Sequence, residues 1–327
     1  KEEDIMLNYV FKRILAAIPV LLGVTLLVFT MLYFTEGDPA RLILGDTATE
    51  EEVEALREEL GLNEPFINRY ISYLGGLLRG DLGIDYITGR PAKDEIMERL
   101  GTTLKLAGAS IIFSILVAIP AGIISAIRQY SLIDIVTTVI ALLGNSMPNF
   151  WLALMLILFF SVYLGILPAS GLYGIKYYIM PVIGISAGAI AGITRMTRSS
   201  MLEVIRQDYI RMARIKGLSE FVVIVKHALK NALIPVITVI GIQFTVAVGG
   251  AVVNEQVFAI PGLGKFLVDA IKARNYQVVQ GGVLVIALIC SLVNLIVDLL
   301  YAFIDPRIKN QFRESAKSRE KRAREEG

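Results

Sequence analysis

The stretch 14–35, ILAAIPVLLGVTLLVFTMLYFT, contains 22 residues without a charged side chain and follows the basic pair Lys12 and Arg13. A helix needs about 20 apolar residues to cross the hydrocarbon core of a bilayer. A cleaved signal peptide has a shorter apolar core, of about 7–15 residues, and a small-residue cleavage site. We therefore predict an uncleaved first transmembrane helix at 14–35, preceded by a cytoplasmic N-terminus at 1–13.

Five further charge-free runs follow, and each is long enough to cross a membrane at least once. They are Leu106–Ile127, Ile135–Ile175, Tyr177–Thr194, Asn231–Asn254 and Gln277–Val297. The 55% hydrophobic and 19% charged residues agree with a membrane protein. Because lipid offers the backbone no hydrogen-bond partners, the sequence predicts an all-α integral membrane protein with six transmembrane helices.

The charge and the scarcity of metal-binding residues exclude other classes of protein. The formal net charge is only +2, which gives no indication of nucleic-acid binding. With one cysteine, Cys290, and one histidine, His227, the chain can form neither an internal disulfide framework nor a His/Cys metal cage. The spans contain no paired acids and no nucleophile with a base, so we predict no catalytic, cofactor-binding or metal site and set aside an intramembrane enzyme.

The distribution of basic residues predicts which side each segment faces, because cytoplasmic loops carry an excess of Lys and Arg. The loop 195–230 contains eight basic residues and three acids, and the tail 305–327 also contains eight basic residues. By contrast, 36–99 contains fifteen acids and seven basic residues. We therefore place the N-terminus, the loop and the tail in the cytoplasm, and the segment 36–102 outside.

The outer segment is predicted to contain a short helix. Thr49 can cap a helix that begins at Glu50, and Gly61 can end it. Both a cap over the pore mouth and a contact with a binding protein or substrate fit this segment.

The cytoplasmic loop is predicted to form two amphipathic helices around a glycine. One apolar stripe at helical spacing comprises Val204, Ile205, Tyr209, Met212 and Ala213. Gly217 fits the position after a helix, and Ser219 can cap a second helix that has Glu220 in its first turn and runs towards Ala232. On composition alone, a helical hairpin lying on anionic lipid also fits.

Two further motifs are predicted to shape the spans. A break in the third run contains Asn145, Ser146, Pro148 and Asn149, where the proline removes a backbone donor. It is either a structural kink or a break that lines the pathway, since irregular backbone at membrane depth is tolerated beside a water-filled cavity.

The glycines Gly184, Gly188 and Gly192 have the spacing of close helix packing. Near the end of the last charge-free run, Asp298 is interpreted as a snorkelling or helix-pairing acid.

An outer turn, 261–266, reads PGLGKF and is not a phosphate-binding loop. Such a loop needs glycine at the position of Ala259 and a hydroxyl at the position of Phe266. We predict that Glu255 pins this extracytoplasmic turn. The turn residues are Pro261, Gly262 and Gly264.

A family resemblance is carried by the cytoplasmic loop, which reads DYIRMARIKGLS at 208–219 and KHALKNALIP at 226–235. It resembles the signature of ABC-importer permeases, and more narrowly that of the dipeptide/oligopeptide/nickel permease family. Ala213 and Gly217 hold the signature's alanine and glycine, while Arg211 replaces its usual acidic residue. The resemblance assigns contact with an ATPase to Asp208, Tyr209, Arg211, Ala213, Lys216, Gly217, Leu218 and Ser219.

Other segments resemble the same family in the same order along the chain. They read GDP at 37–39, RGDLG at 79–83, RLGTTL at 99–104, EQVFAIPGLG at 255–264 and DPR at 305–307. The Leu100-Gly101 pair departs from the family's usual leucine-proline.

The resemblance implies the type I fold of ABC-importer permeases, with a permease core at 103–304, in the cytoplasmic (inner) membrane of a prokaryote. Such a chain pairs with a homologous second permease, as a heterodimer. Two ABC ATPase subunits bind ATP and Mg²⁺ below the membrane, and an extracytoplasmic substrate-binding protein delivers the cargo above. The permease itself binds no cofactor.

The implied cargo is a di- or oligopeptide, and a nickel chelate, glutathione or an oligosaccharide remains open. The rival from another class is an ion-coupled secondary transporter. Proton-coupled carriers place ionisable residues at mid-membrane depth, and none lies at the centre of the six runs. Sodium sites built from backbone carbonyls keep this rival open.

Overall fold

The computed structural model describes residues 2–35, 37–45 and 47–304, with side chains from Val10 to Leu300. The predicted basic tail at 305–327 and its DPR triplet lie outside the described residues.

Five helices are long and apolar enough to cross a membrane. They are α1 (Glu2–Tyr33), α5 (Ala92–Ile127), α8 (Lys176–Ile205), α11 (Leu229–Val257) and α13 (Tyr276–Ile304). The third charge-free run instead forms two pieces, α6 (Leu132–Ser146) and α7 (Asn149–Leu156), and α7 continues as a π-helix to Tyr163. The two pieces meet at 104° on either side of Pro148.

The bent pair runs from one face of the helix bundle to the other. At its start, Asp134 is paired with Arg198 in the second half of α8. Beyond its end, the Gly171 N–H donates to the carbonyl of Phe258, just past the outer end of α11, at 2.9 Å. Counted as one span, the pair completes the predicted set of six, and the all-α fold is confirmed.

The core of the bundle lies between α5, α8 and α11, where Leu106, Ile193 and Val236 are fully buried. By contrast, only 11% of the apolar window of α1 and 6% of that of α13 are buried within the chain. These two helices pack on each other, and Arg13 Nε lies 3.1 Å from Asp298 Oδ2. Of the two interpretations of Asp298, a snorkelling acid or a helix-pairing acid, this ion pair supports the second.

The remaining helices are short and lie between the spans. They are α2 (Pro39–Leu44), α3 (Glu50–Glu59), α4 (Phe66–Leu78), α9 (Asp208–Ile215), α10 (Glu220–Val222) and α12 (Leu263–Lys272). A π-helix, Val223–Ala228, joins α10 to α11. In α3 the prediction is confirmed, because Thr49 and Glu52 form a reciprocal capping box and Gly61 follows the helix at φ +64°.

Candidate functional site

The cytoplasmic loop contains the residues predicted to contact an ATPase, and α9 lies at its centre. The buried face of α9 is formed by Ile210 and Ala213, which pack against Val223 and Ala228 beyond the turn. This face anchors α9 to the helix that continues into α11.

The opposite face of α9 is exposed and largely apolar. The prediction of a single stripe was wrong, because Ala213 is buried whereas Tyr209 and Met212 are 43% and 53% exposed. The turn between α8 and α9 changes the register, so residues on its two sides do not share one face. The exposed apolar surface, here called the docking face, comprises Tyr209, Met212, Ile215, Leu218 and Phe221.

Gly217 ends α9 in a left-handed conformation at φ +77°. The N–H of Gly217 donates to the Arg214 carbonyl at 2.9 Å, and the N–H of Leu218 donates to the Ala213 carbonyl at 3.4 Å. These two bonds form a Schellman motif, which glycine favours because it has no Cβ. The motif fixes the angle at which Leu218 leaves the helix.

An ion pair closes the turn around Gly217. The Arg214 guanidinium donates from Nε and Nη2 to the two carboxylate oxygens of Glu220, at 3.1 and 2.7 Å. This hydrogen bonding to Glu220 raises the pKa of Arg214 above its usual value. Ser219 occupies the N-cap position of α10, but its side chain makes no capping bond, so the predicted side-chain cap was wrong.

The polar residues predicted in the loop surround the docking face. Asp208 begins α9, Lys216 follows its last residue, and both are exposed, as is Arg211. The Tyr209 hydroxyl accepts a bond from Asn231 Nδ2 at 2.7 Å, which ties the docking face to the base of α11.

The break between α6 and α7 borders a cavity of about 250 Å³. Its polar lining consists of the side-chain amides of Asn145, Asn149 and Gln243, and none of these makes a hydrogen bond to another described residue. Ser146 differs, because its hydroxyl is bonded to the Leu142 carbonyl at 2.8 Å. Two of the predicted break residues therefore offer free amide groups at the cavity.

The three spaced glycines of α8 do not all serve packing. A Cβ on Gly184 would lie 2.9 Å from Asn254 Oδ1, and one on Gly192 would lie 2.6 Å from Gln243 Nε2, so glycine at these positions leaves room for the two amide groups. Gly188 has no atom within 4 Å of such a Cβ and lines the cavity instead.

The outer turn is held by a buried carboxylate. Glu255 Oε1 accepts from the Thr103 hydroxyl at 2.6 Å, and Oε2 accepts from the Lys265 N–H at 2.9 Å. The Thr103 oxygen in turn accepts from the Leu263 N–H at 2.8 Å. This network joins the interior of α5 to the end of α11 and the start of α12, with Pro261 just before α12.

Two glycines make room for this network. A Cβ on Gly262 would lie 2.2 Å from the Glu255 carboxyl carbon, and one on Gly264 would lie 2.5 Å from the Val252 Cα. The predicted turn residues are therefore brought together with Glu255, at the face of the bundle opposite the docking face.

Sequence reasoning missed a buried ion pair near the cytoplasmic face. Asp134, in the first turn of α6, accepts from Arg198 Nε and Nη2 at 2.6 and 2.7 Å. It also accepts from the Ser125 hydroxyl and, at 2.9 Å, from the Tyr130 N–H. The capping pattern from Ser131 to Asp134 was a signal for the start of α6, but nothing local points to Arg198.

The described residues contain no group of three His, Cys, Asp or Glu side chains that could hold a metal ion.

Comparison with known proteins identifies the family to which the sequence is related. Residues 118–310 match the family described as binding-protein-dependent transport system inner membrane component, and residues 6–107 match its N-terminal counterpart. The chain is 45% identical to the dipeptide transport system permease protein DppB of Alkalihalophilus pseudofirmus, across 93% of this chain and 100% of that protein. It is 42% identical to the glutathione transport system permease protein GsiC of Escherichia coli K12, across 93% and 99% of the two chains.

A solved structure agrees with the fold. The inward-facing MetNI methionine ABC transporter superposes with a TM-score of 0.53 at 20% identity, across 64% of this chain and 96% of that one. With the family matched over more than half of its length, the chain belongs to the binding-protein-dependent transport system inner membrane components.

Proposed function

We propose that this chain forms one half of the translocation pathway of an ATP-driven peptide importer, with separate ATPases beneath it. The cavity at the break between α6 and α7 carries the proposal. It lies within a span, and its lining combines small residues with amides that have no partner among the described residues. Backbone breaks at membrane depth are tolerated where they line a polar cavity.

The amide lining favours a peptide as cargo. Each of Asn145, Asn149 and Gln243 offers both a donor and an acceptor, which is what a peptide backbone also offers. Amide-to-amide bonds do not depend on the side chains of the cargo, so such a lining accepts peptides of varied sequence. The names of the relatives, a dipeptide permease and a glutathione permease, point in the same direction.

The docking face supports an ATPase as the cytoplasmic partner. Three of its apolar residues, Tyr209, Met212 and Ile215, lie on α9, which is fixed at both ends, by the turn after α8 and by the Schellman motif at Gly217. A helix held in this way can pass the closure of the ATPases to α8 and α11 as a rigid-body movement. The positive-inside rule places this face in the cytoplasm, where ATP is available.

The assembly would be completed by a homologous second permease and an extracytoplasmic binding protein. The poorly buried surfaces of α1 and α13 leave room for lipid and for a second subunit. With six spans, both termini lie in the cytoplasm.

Reconstitution tests this proposal. We expect the transporter, rebuilt in proteoliposomes with its second permease, ATPases and binding protein, to accumulate a labelled dipeptide or glutathione only with ATP, and to be insensitive to an uncoupler. Uptake that survives without ATP and collapses with the uncoupler would establish the secondary transporter instead.

A pair of variants tests the cavity. Asn149→Leu removes an amide from the lining, and Asn68→Leu makes the same change on the exposed surface of α4. We expect uptake to fall at least tenfold in the first and to be unchanged in the second, with both variants assembled normally. Equal uptake in the two variants would place the pathway elsewhere.

A further inference from the structure

The helix α4, in the segment after α1, packs its aromatic residues on the outer part of α1. The ring centroid of Phe29 lies 5.3 Å from those of Phe66 and Tyr70, and 5.8 Å from that of Tyr73. Phe66 also contacts Tyr33, with 5.0 Å between centroids. The two helices are thus joined by a continuous aromatic cluster.

One contact extends far along α1. The Tyr70 hydroxyl lies 3.0 Å from Thr25 Oγ1 and 3.3 Å from the Leu22 carbonyl oxygen. Thr25 precedes the end of α1 at Tyr33 by two turns, or about 12 Å at 1.5 Å per residue. Since Thr25 lies inside the charge-free run, the contact is at hydrocarbon depth. A hydroxyl at that depth needs a partner within the protein, and Tyr70 has one.

The face of α4 turned away from α1 is aliphatic and uncovered. Ile67, Ile71 and Leu78 are 66%, 61% and 91% exposed, and their spacing of four and seven residues places them along one side of the helix. The helix α1, on which α4 packs, is also largely uncovered, since only 11% of its apolar window is buried within the chain.

The single charge of α4 is directed away from the aliphatic face. The Arg69 guanidinium lies 5.3 Å from the centre of the Tyr33 ring, at the outer end of α1, and Nη1 donates to the Leu62 carbonyl at 3.4 Å. A charge held at the rim beside an immersed apolar face is the arrangement of helices that lie in the membrane interface.

We propose that α4 lies in the outer interface of the bilayer, with Ile67, Ile71 and Leu78 inserted among the lipid acyl chains. The occupant of the aliphatic face is lipid, because α4 packs on a membrane-spanning helix and because Tyr70 of α4 reaches hydrocarbon depth on that helix. The segment after α1 is therefore anchored in the membrane through α4, while the acidic, well-capped α3 remains in water.

The chain's single tryptophan, Trp151, makes a fluorescence test direct. In a Trp151→Phe background, Ile71→Trp places the only tryptophan of this chain on the aliphatic face, and Glu51→Trp places it on exposed α3 as the control. The assembled transporter is reconstituted with lipid brominated on the acyl chains, and tryptophan-free variants of the other subunits remove their signal. We expect bromolipid to quench Ile71→Trp by at least half and to leave Glu51→Trp unchanged, with the reverse order for iodide in the water.

Two results would overturn the proposal. Quenching of Ile71→Trp by iodide but not by bromolipid would place α4 in water. Bromolipid quenching that is present in the isolated chain and lost in the assembled transporter would show that a partner subunit covers the face. If Ile71→Trp does not assemble, a spin label on Ile67→Cys in a Cys290→Ser background decides the question, because the proposal requires it to be more accessible to oxygen than to a water-soluble nickel chelate.

Discussion

Replacing Gly217 by valine tests whether the turn after α9 is needed to couple the ATPases to transport. Gly217 has φ +77°, and no atom lies within 4 Å of a Cβ built on it. The cost therefore comes from the backbone and not from a clash within the chain. The left-handed conformation costs a residue with a Cβ roughly 1–2 kcal/mol, and β-branching places valine at the upper end. Since about 1.4 kcal/mol is a factor of ten, a cost of about 2 kcal/mol corresponds to a roughly thirtyfold loss of correctly turned α9.

The loss should appear in coupling and not in membrane insertion, because Gly217 lies outside the buried core of the spans. We expect Gly217→Val to reach a normal membrane level, to retain less ATPase on purification or to leave hydrolysis unstimulated, and to show little uptake. Gly217→Asn is the matched control: it adds a side chain at the same open position but tolerates the left-handed conformation, and it should behave nearly as the parent.

Two outcomes would refute this reasoning. Normal uptake with full ATPase association in Gly217→Val would show that Gly217 is only a convenient turn. Loss of the valine variant from the membrane would show that the glycine serves folding.

Two further predictions concern the buried networks. Asp134→Asn should lower the midpoint of thermal unfolding of the purified transporter, because it weakens the charge-assisted hydrogen bonds from Arg198, a kind of bond that contributes about 1.5–3 kcal/mol. The double variant Asp134→Arg with Arg198→Asp should recover only part of the lost midpoint, since arginine cannot accept a hydrogen bond from the Tyr130 N–H. An unchanged midpoint in Asp134→Asn would contradict the reasoning. Gly262→Ala should displace the Glu255 carboxylate and reduce both stability and uptake, whereas Gly249→Ala, with no atom within 4 Å, should do neither; equal effects would argue against the network.

The spans could be predicted because a helix that crosses the lipid needs about 20 consecutive apolar residues, and such runs are recognisable in the sequence. The Schellman turn could be predicted because a glycine after an amphipathic run has few alternatives. The exposed face of α9 could not, because the turn at 206–207 contains neither glycine nor proline. With no such signal, the apolar periodicity continues across the turn and gives the wrong register for Tyr209 and Met212.

Contacts between residues far apart in the sequence also could not be predicted. Thr103 and Glu255 are 152 residues apart, and Arg198 and Asp134 are 64 apart. Nothing in the sequence around any of these four residues indicates its partner. Similarly, Pro148 predicts a break in the third run but does not determine the 104° between its two pieces.

The ion pair and the break together give a physical route from the docking face to the cavity. Arg198 lies two turns before the end of α8, so a movement of α9 that tilts this end also moves Asp134 at the start of α6. α6 is a single helix up to Ser146, so it carries that displacement to Asn145 at the cavity. Beyond Pro148, Asn149 of α7 lies beside Gly250 of α11. The two pieces therefore have different neighbours, because α6 is paired with Arg198 of α8. A displacement of α6 relative to α7 would therefore be taken up at the bend, which borders the cavity proposed as part of the pathway.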